Sequence, residues 1–266
     1  MIKISHESPL QLLQKSRHYN DFDYALVHLF EKYPEYYDFF EASLKIGREV
    51  ILDNSIFELG EAFAKDEFAR WIEKLKPSIY VVPDALNDYE RTIDNYEEWL
   101  KDFGQLPGKK MGVVQGTTYK ELVDCYRYME MNADVVAISF DYKFYNIVGY
   151  GFNEEQRWSD GRVKFIRNMV LDAILDPAKP IHLLGCSLPK EFINYRDLPI
   201  NIRSLDTSNP VLHGMYGIKY GEHGLLVKHR VKMAEVFEEQ PNKENLDIID
   251  FNIKKFRELV NGKEKQ

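Results

Sequence analysis

Cysteine and long apolar runs are both scarce in this chain of 266 residues. Only Cys125 and Cys186 are present, which excludes a disulfide framework and a cysteine-rich structural zinc site and favours a reducing, cytoplasmic setting. No apolar run approaches the roughly 20 residues that cross a bilayer, and the N-terminus lacks the basic-then-apolar pattern of a secretory signal. We therefore expect no membrane partner.

Positive charge is also in deficit, because the formal net charge is -8. This balance argues against a protein that coats nucleic acid nonspecifically. It is compatible with a protein that holds one nucleotide in a pocket beside a local basic patch. The 17 tyrosines and 16 phenylalanines are many for this length, and most are expected in the core, with stacking on bases a minority role.

The chain contains a repeated alternation of short apolar runs and amphipathic segments. Continuous apolar runs of this length, each followed by apolar residues at helical spacing, predict a parallel sheet that is covered by helices on its outside. Seven such runs at intervals of roughly 20 to 45 residues favour an α/β fold of the (β/α)8 barrel type. The predicted strands are residues 24–30, 49–52, 78–82, 111–114, 134–138, 180–184 and 202–206.

The remaining strand and the domain limits follow from the same pattern. The best candidate for an eighth strand is residues 224–227, and residues 142–159 are predicted to form a loop or lid because they lack periodicity. We see no linker or short repeat, so residues 1–266 are predicted to be a single domain. Its barrel core is expected at about 24–230, with a closing helix and polar tail at 240–266.

Polar side chains follow most of the predicted strands at the point where the strand ends. In a parallel barrel all of these ends lie on one face, where catalytic residues collect. An Asp in such a position is often only the N-cap of the next helix, and this alternative holds for each residue taken alone. Several carboxylates at one barrel mouth would raise one another's pKa, which indicates function. The residues are His28, Asp53, Asp84, Gln115, Asp141 and Asp206.

Carboxylates and an amide have a specific chemistry available to them. One carboxylate can attack an anomeric carbon to give a covalent glycosyl ester, and a second can move the proton of the leaving or entering group. The others can accept hydrogen bonds from the edge of a heterocycle. Asp206 lies between an apolar strand and the turn-forming residues Thr207 to Pro210, so we predict that it is the nucleophile.

Five short segments in chain order extend this interpretation. They are residues 52–58 (Leu-Asp-Asn-Ser-Ile-Phe-Glu), 83–84 (Pro-Asp), 114–116 (Val-Gln-Gly), 182–185 (His-Leu-Leu-Gly) and Asp206. Over about residues 48–212 the chain resembles the tRNA-guanine transglycosylase superfamily of (β/α)8 enzymes. It is most similar to the shorter DNA 7-deazaguanine transglycosylases of phages and bacteria. The matching family segments are Asp-Ser-Gly-Gly-Phe-Gln, a base-recognising Asp, Val-Gln-Gly, Leu-Met-Gly-Val-Gly and the nucleophilic Asp.

The resemblance implies a function and a role for each matching residue. Asp206 would be the nucleophile and Asp53 the acid/base in a reaction that exchanges a nucleobase, guanine, in a polynucleotide for a 7-deazaguanine-type base. The intermediate would be a covalent aspartyl-glycosyl ester, and neither a metal nor an organic cofactor is expected. The implied substrate-binding residues are Asp84, Gln115, Gly116, Glu58, Phe57, Ser139 and Gly185.

The chain departs from the family pattern in four places. Ser55-Ile56 replaces a Gly-Gly pair, which would crowd a base lying on that backbone, and Glu58 replaces a Gln. Ser139-Phe140 replaces a second Gly-Gly segment. The C-terminal zinc-binding subdomain of the tRNA enzymes, with three Cys and one His, is absent. We therefore expect DNA rather than tRNA as the partner, together with a free 7-deazapurine-type base. The expected setting is a bacterial or phage-infected cell, and the sequence is compatible with an oligomer.

Basic residues cluster near the end of the predicted barrel, and Lys219, Lys228 and Arg230 are predicted to contact nucleic-acid phosphates. A solvated surface patch is the alternative. Two rival functions also remain open. One is a non-catalytic barrel that binds a base or partners an active subunit. The other is a metal-dependent hydrolase, whose ligands would be His28, Asp53, Asp84 and His182.

Overall fold

The structure is a computed structural model that describes residues 1–227 and 232–262. Eight parallel strands form one sheet that curls into a nearly closed barrel, which confirms the predicted (β/α)8 class. Its strands are β1 (Lys3–His6), β2 (Asp23–Leu26), β3 (Val50–Asp53), β4 (Ile79–Val81), β5 (Lys109–Val113), β6 (Val135–Ile138), β7 (Ile181–Leu183) and β8 (Ile202–Thr207). Neighbours in the sheet follow the order β1-β8-β7-β6-β5-β4-β3-β2.

Asn20 and Asp21, which lie just before β2, hydrogen-bond to β1 and bring the ends of the sheet together without a strand ladder. The His6 N–H donates to Asn20 Oδ1 at 2.7 Å, and Asn20 Nδ2 donates back to the His6 carbonyl at 3.1 Å. Ile4 N–H donates to Asp21 Oδ2 at 2.8 Å, and Asp21 N–H donates to the Ile4 carbonyl at 2.9 Å. These four hydrogen bonds satisfy the backbone of β1 on its otherwise unpaired side.

The sequence prediction was wrong about which segment completes the barrel. The strand predicted at 24–30 is the second, and the first is β1, so the barrel begins at residue 3 and not at about 24. Residues 224–227 are not a strand. Gly224, at φ +82°, forms an isolated bridge with Gly221, and Leu226 and Val227 are 69% and 52% exposed. With β1 paired to β8, that edge of the sheet is already occupied.

Helices surround the barrel and pack on the outward-facing strand residues. The predicted loop at 142–159 instead contains α8 and the start of α9, whose periodicity is interrupted in the sequence by Gly149 and Gly151. Within the described residues, no helix is both long and apolar enough to cross a bilayer. The helices are α1 (Leu13–Ser16), α2 (Leu29–Lys32), α3 (Pro34–Lys45), α4 (Ile56–Leu59), α5 (Lys65–Leu75), α6 (Tyr89–Phe103), α7 (Tyr119–Asn132), α8 (Lys143–Val148), α9 (Glu154–Leu171), α10 (Asn209–Met215), α11 (Met233–Val236) and α12 (Lys243–Asn261).

The C-terminal part of the prediction is confirmed in part. The closing helix expected within 240–266 is α12, with a buried face that includes Ile253 and Phe256, whereas residues 263–266 of the predicted tail lie outside the described residues. Two 3-10 segments, Leu10–Leu12 and Pro189–Tyr195, complete the helical structure of the described chain.

The barrel interior is apolar on one side and polar on the other. Alternation along β2 to β6 directs one set of side chains inward, whereas β7 and β8 supply His182, Ser204 and Asp206, all buried. Buried polar groups are costly unless they are hydrogen-bonded, so this polar half is where a functional site is expected. The apolar set consists of Phe22, Tyr24, Leu26, Ile51, Ile79, Val81, Met111, Val113, Val135 and Ala137.

Candidate active site

Asp206, the predicted nucleophile, is buried near the carboxyl end of β8 and is held from two directions. Its Oδ1 accepts a hydrogen bond from the Gly185 N–H at 3.2 Å and lies 2.9 Å from His182 Nε2. The N-cap of the following helix, α10, is Ser208, and Pro210 is in its first turn. Asp206 is therefore not a helix cap, and its carboxyl group is aimed into the barrel.

A chain of hydrogen bonds lies behind Asp206 and includes His182. Arg203 donates to Ser204 Oγ at 3.3 Å, and Ser204 Oγ lies 2.8 Å from His182 Nδ1. The other ring nitrogen of His182, Nε2, faces Asp206. Arg203 is itself ion-paired with Glu49, which precedes β3. This chain of contacts thus runs from Glu49, before β3, to Asp206 near the carboxyl end of β8.

Asp53, the predicted acid/base, lies at the end of β3 and is also buried. Its Oδ2 accepts from the Tyr24 hydroxyl at 2.6 Å, and its Oδ1 accepts from the Ser55 N–H at 2.6 Å. Burial, then the nearby carboxyl groups of Glu58 and Asp206, raise the pKa of Asp53 to about 8, although both hydrogen bonds oppose the shift. Asp53 therefore keeps its proton at neutral pH.

Ser55 has a left-handed backbone with φ +60° and ψ +24°. This conformation costs a non-glycine residue about 1 kcal/mol. Its side chain is fully buried, and its Oγ accepts from the His28 N–H at 3.4 Å. The sequence after β3 thus folds as a turn that only glycine adopts without strain, and the Ser55 hydroxyl contacts the N-cap residue of α2.

The next residues project from α4 towards the same rim. Glu58 is an exposed residue, and desolvation by nearby protein atoms, followed by the charge of Asp206, raises its pKa to about 7. Phe57 is 61% exposed, and its ring centroid lies 5.7 Å from that of Phe140. The structure therefore brings Asp53, Glu58 and Asp206 together, as predicted, with an aromatic pair alongside.

Glu7, which the sequence analysis did not select, belongs to the same cluster. It follows β1, where its backbone N–H donates to the Thr207 carbonyl at 3.0 Å. Burial, then Asp206, Glu58 and Asp53, raise the pKa of Glu7 well above its ordinary value. The signal that could have found it was weak, because Lys3–His6 is short and Ile4 is its one large apolar residue.

The four carboxyl groups of Glu7, Asp53, Glu58 and Asp206 form what we call the rim cluster. No lysine or arginine of the described residues forms an ion pair with any of them. Burial and the neighbouring acids raise the pKa of Glu7, Asp53 and Glu58, so these three groups hold protons at higher pH than free carboxyl groups do. Groups that hold protons there are suited to general acid catalysis.

A second polar cluster adjoins the first, because Asn54 follows Asp53 directly. Asp84 Oδ1 accepts from Asn54 Nδ2 at 2.9 Å, and Asp84 Oδ2 accepts from Gln115 Nε2 at 2.7 Å. Gln115 Oε1 accepts from the Asn87 N–H at 3.0 Å. Burial raises the pKa of Asp84, and the two amide hydrogen bonds counteract this. Asp84 and Gln115 are thus brought together as predicted, and Asn54 was missed.

The two predicted glycines are required by close packing. A Cβ on Gly116 would lie 2.9 Å from the Glu121 Cβ on α7. Gly185 has φ +61°, and a Cβ there would lie 2.6 Å from Phe140 Cδ1. Gly185 therefore lets its N–H reach Asp206 underneath the Phe140 ring, whereas Gly116 lets β5 lead closely into α7.

Ser139 and Lys219, which were also predicted to bind substrate or nucleic acid, contact residues outside the two clusters. Ser139 Oγ donates to Asp141 Oδ1 at 2.7 Å, so these two side chains bond each other. Lys219 Nζ lies 4.2 Å from the centroid of the Phe251 ring on α12. Lys228 and Arg230 lie outside the described residues.

The metal-dependent hydrolase that the sequence left open would use His28, Asp53, Asp84 and His182 as metal ligands. Within residues 1–227 and 232–262, no group of three or more His, Cys, Asp or Glu side chains is arranged to hold a metal ion. His182 is engaged by Ser204 and Asp206, and Asp84 by amide groups. Burial lowers the pKa of His28, which lies at the start of α2.

Two comparisons of the sequence with known proteins found no match. No protein-family model matches the chain, and no curated protein matches it in sequence. Its function must therefore be inferred from the residues of the two clusters and from the family resemblance of its motifs.

Proposed function

We propose that this protein is a base-exchanging transglycosylase that replaces guanine in a polynucleotide, DNA rather than tRNA, with a 7-deazaguanine-type base. The observation that supports this most strongly is the rim cluster, in which a proton-holding Asp53 adjoins an Asp206 that is oriented by Gly185 and His182. A glycosyl transfer through a covalent ester needs this combination of a nucleophilic carboxylate and a separate proton donor.

In the first step, Asp206 attacks C1′ of the target nucleotide. The new O–C1′ bond forms as the C1′–N9 bond breaks, and the bonding electrons leave with guanine. Asp53, which carries a proton at neutral pH, protonates the departing base.

The second step reverses these roles. The ionised Asp53 takes a proton from the incoming base, whose nitrogen attacks C1′ and releases Asp206 as a carboxylate. Two displacements at one carbon retain its configuration, and no proton is gained or lost over the whole exchange.

The second polar cluster would recognise the base. A guanine-type ring has N–H and NH2 donors on one edge, and these complement the carboxylate of Asp84 and the amide oxygen of Gln115. Glu58 is an additional acceptor where the family has Gln, and Phe57 with Phe140 offers an apolar surface to the ring. Gly116, Ser139 and Gly185 follow three neighbouring strands and would line the same space.

A nucleotide in duplex DNA must leave the base stack to reach Asp206. Lys219, Lys228 and Arg230 remain the proposed phosphate contacts, because basic residues cluster in this part of the sequence. Binding through them would weaken as salt is raised.

The test is mass spectrometry of nucleosides released from DNA and RNA after incubation with the protein and candidate free bases. A 7-deazapurine nucleoside in DNA, at the expense of deoxyguanosine, is the expected product. Absence of exchange with every base and both polymers would refute the proposal.

One observation favours a second function, a barrel that binds a base without turnover. Each oxygen of Asp84 already accepts one hydrogen bond, from Asn54 and from Gln115, and each keeps a lone pair that can accept a donor of a base. Calorimetry with purines and deazapurines separates the two functions, because binding without exchange supports the second.

A further inference from the structure

Arg162 is a buried cation that the two-step mechanism above does not use. It lies on α9 with no exposed surface, and its guanidinium is ion-paired with Glu191, which is also buried, in the 3-10 segment Pro189–Tyr195. The Phe192 ring covers the guanidinium, with its centroid 5.8 Å from the guanidinium carbon. A buried ion pair carries a desolvation cost that apolar residues of similar volume avoid. A role beyond joining α9 to this segment must therefore come from the other contacts of Arg162.

Two further hydrogen bonds join Arg162 to the loop that follows β7. Its Nη1 donates to the Leu184 carbonyl at 3.0 Å, and its Nη2 donates to the Gly185 carbonyl at 3.1 Å. Two successive carbonyl groups thus face one guanidinium, with Gly185 at φ +61° between them. A guanidinium presents its N–H donors in a rigid planar fork, which the amine of a lysine does not reproduce.

The first of these carbonyls belongs to the peptide group that contacts Asp206, the proposed nucleophile. The Leu184 C=O and the Gly185 N–H are the two polar groups of one trans peptide, so they lie in one plane and point in opposite directions. The C=O accepts from Arg162, and the N–H donates to Asp206 Oδ1 at 3.2 Å. One peptide group therefore connects the buried cation to the nucleophile.

This connection affects both the direction and the strength of the hydrogen bond to Asp206. Leu184 is also fixed from β6, because its own N–H donates to the Ile138 carbonyl at 3.0 Å. Rotation of the peptide between Leu184 and Gly185 would break its bonds to Arg162 and to Asp206 together. The positive charge beside the carbonyl oxygen also polarises the peptide, which makes its N–H a stronger donor.

We propose that Arg162 is a positioning residue, which directs the Gly185 N–H at Asp206 and strengthens that hydrogen bond through the peptide between Leu184 and Gly185. This inference rests on the proposed function, and it assigns a role that the family resemblance did not imply. Among the described residues, no lysine or arginine forms an ion pair with the rim cluster. Arg162 thus supplies positive charge to Asp206 through a peptide, without neutralising the neighbouring acids.

The oriented N–H matters in both steps of the exchange. A hydrogen bond from a backbone N–H to a carboxylate fixes the carboxylate for attack on C1′, and it stabilises the charge that returns to Asp206 when the ester breaks. Arg162 does not touch the substrate, so its loss should lower kcat and leave the KM for DNA nearly unchanged. The strength of one hydrogen bond to a charged group sets the expected decrease at roughly 10- to 100-fold.

The test compares two variants that differ at position 162 alone. Glu191→Gln breaks the ion pair but leaves Arg162 and both of its carbonyl contacts. Arg162→Met combined with Glu191→Gln also removes the two donors, and it leaves no charge buried without a partner. Arg167→Met is a second control, because Arg167 is an exposed arginine of the same helix that contacts Asn194 in the same 3-10 segment.

The first measurement is the NMR signal of the Gly185 N–H, which needs no catalysis. The chain contains only two Leu-Gly pairs, Leu59-Gly60 and Leu184-Gly185. Protein that is isotope-labelled at the leucine carbonyl carbon and the glycine nitrogen therefore gives two selected signals. Asp206→Asn identifies the Gly185 signal and shows where it lies once the acceptor has lost its charge. The second measurement is the kcat and KM of base exchange with a guanine-containing oligonucleotide.

We expect Arg167→Met and Glu191→Gln to keep the wild-type Gly185 signal and a kcat within a few-fold of wild type, although Glu191→Gln should lose stability. In the double variant the Gly185 signal should move towards its position in Asp206→Asn. Its kcat should be roughly 10- to 100-fold below that of Glu191→Gln, with KM within a few-fold.

The outcomes separate this proposal from the one on which it rests. A Gly185 signal or a kcat in the double variant equal to that of Glu191→Gln overturns the role of Arg162. Absence of exchange by the wild-type protein overturns the transglycosylase, and the NMR comparison then still decides whether Arg162 directs the peptide. If the double variant does not fold, Arg162→Lys, whose amine lacks the planar fork, replaces it, and a wild-type signal and kcat there overturn the proposal.

Discussion

The rings of Tyr24 and His182 are stacked inside the barrel, with centroids 5.8 Å apart and planes only 5° from parallel. Tyr24 donates its hydroxyl hydrogen to Asp53, and His182 contacts Asp206. One stacked pair thus orients both carboxyl groups of the proposed mechanism. Because Tyr24 comes from β2 and His182 from β7, the barrel must be folded before this arrangement exists.

Tyr24→Phe should keep the stacking and raise the pKa of Asp53. The Tyr24 hydroxyl favours the ionised form of Asp53, so its loss should move that pKa from about 8 upwards by roughly one unit. Adduct formation, which needs protonated Asp53, should then persist to a higher pH. The measurement is the single-turnover rate against pH. Tyr36→Phe is the matched control, because the Tyr36 hydroxyl bonds the Leu26 N–H; identical profiles for wild type and Tyr24→Phe would count against Asp53 as the acid.

Gly185→Ala should damage both stability and catalysis. Its Cβ would be strained at φ +61° and would meet the Phe140 ring at 2.6 Å, so the loop must move and its N–H must leave Asp206. We expect a loss of roughly 2 to 4 kcal/mol in the free energy of unfolding. Gly47→Ala, at φ +80° with nothing within 4 Å of the added carbon, should cost only about 1 kcal/mol. Equal losses in urea denaturation would show that Phe140 does not restrict this loop.

The free energy of unfolding should depend on pH through Asp53. Its folded pKa of about 8 exceeds the ordinary value of 3.8, so the folded state binds the proton more tightly. This stabilising contribution is complete below about pH 4 and is lost as pH rises towards 8. Asp53→Asn removes the ionisation, and its stability relative to wild type should increase by about 2 to 5 kcal/mol between those limits. Parallel denaturation curves for the two proteins across this range would mean that Asp53 is not desolvated.

Much of the fold could be predicted, because buried parallel strands are nearly continuous apolar runs. The runs before Asp53, Asp84 and Asp206 were recognisable for this reason, and each directs a polar residue to the rim. Strand β1 could not be recognised, because Ser5 lies beside Asp206 on the polar side of the barrel and the strand has little apolar character. Glu7 was missed together with the strand that positions it.

Other features depend on tertiary contacts that no local pattern contains. Residues 224–227 have the composition of a strand, but β1 already pairs with the strand edge that they would need. Asn54 resembles an ordinary turn residue, and only the folded chain directs its amide to Asp84. The hydrogen bonds from Ser204 through His182 to Asp206 likewise join two strands.

The most direct test of the account is whether Asp206 becomes covalently attached to DNA. The wild-type protein is incubated with a guanine-containing oligonucleotide without free base, and its peptides are mapped by mass spectrometry beside those of Asp206→Asn. We predict an adduct on the peptide that contains Asp206, no adduct in Asp206→Asn, and a loss of base exchange of at least roughly 1,000-fold in a variant that still folds. Exchange by Asp206→Asn at the wild-type rate would contradict the account.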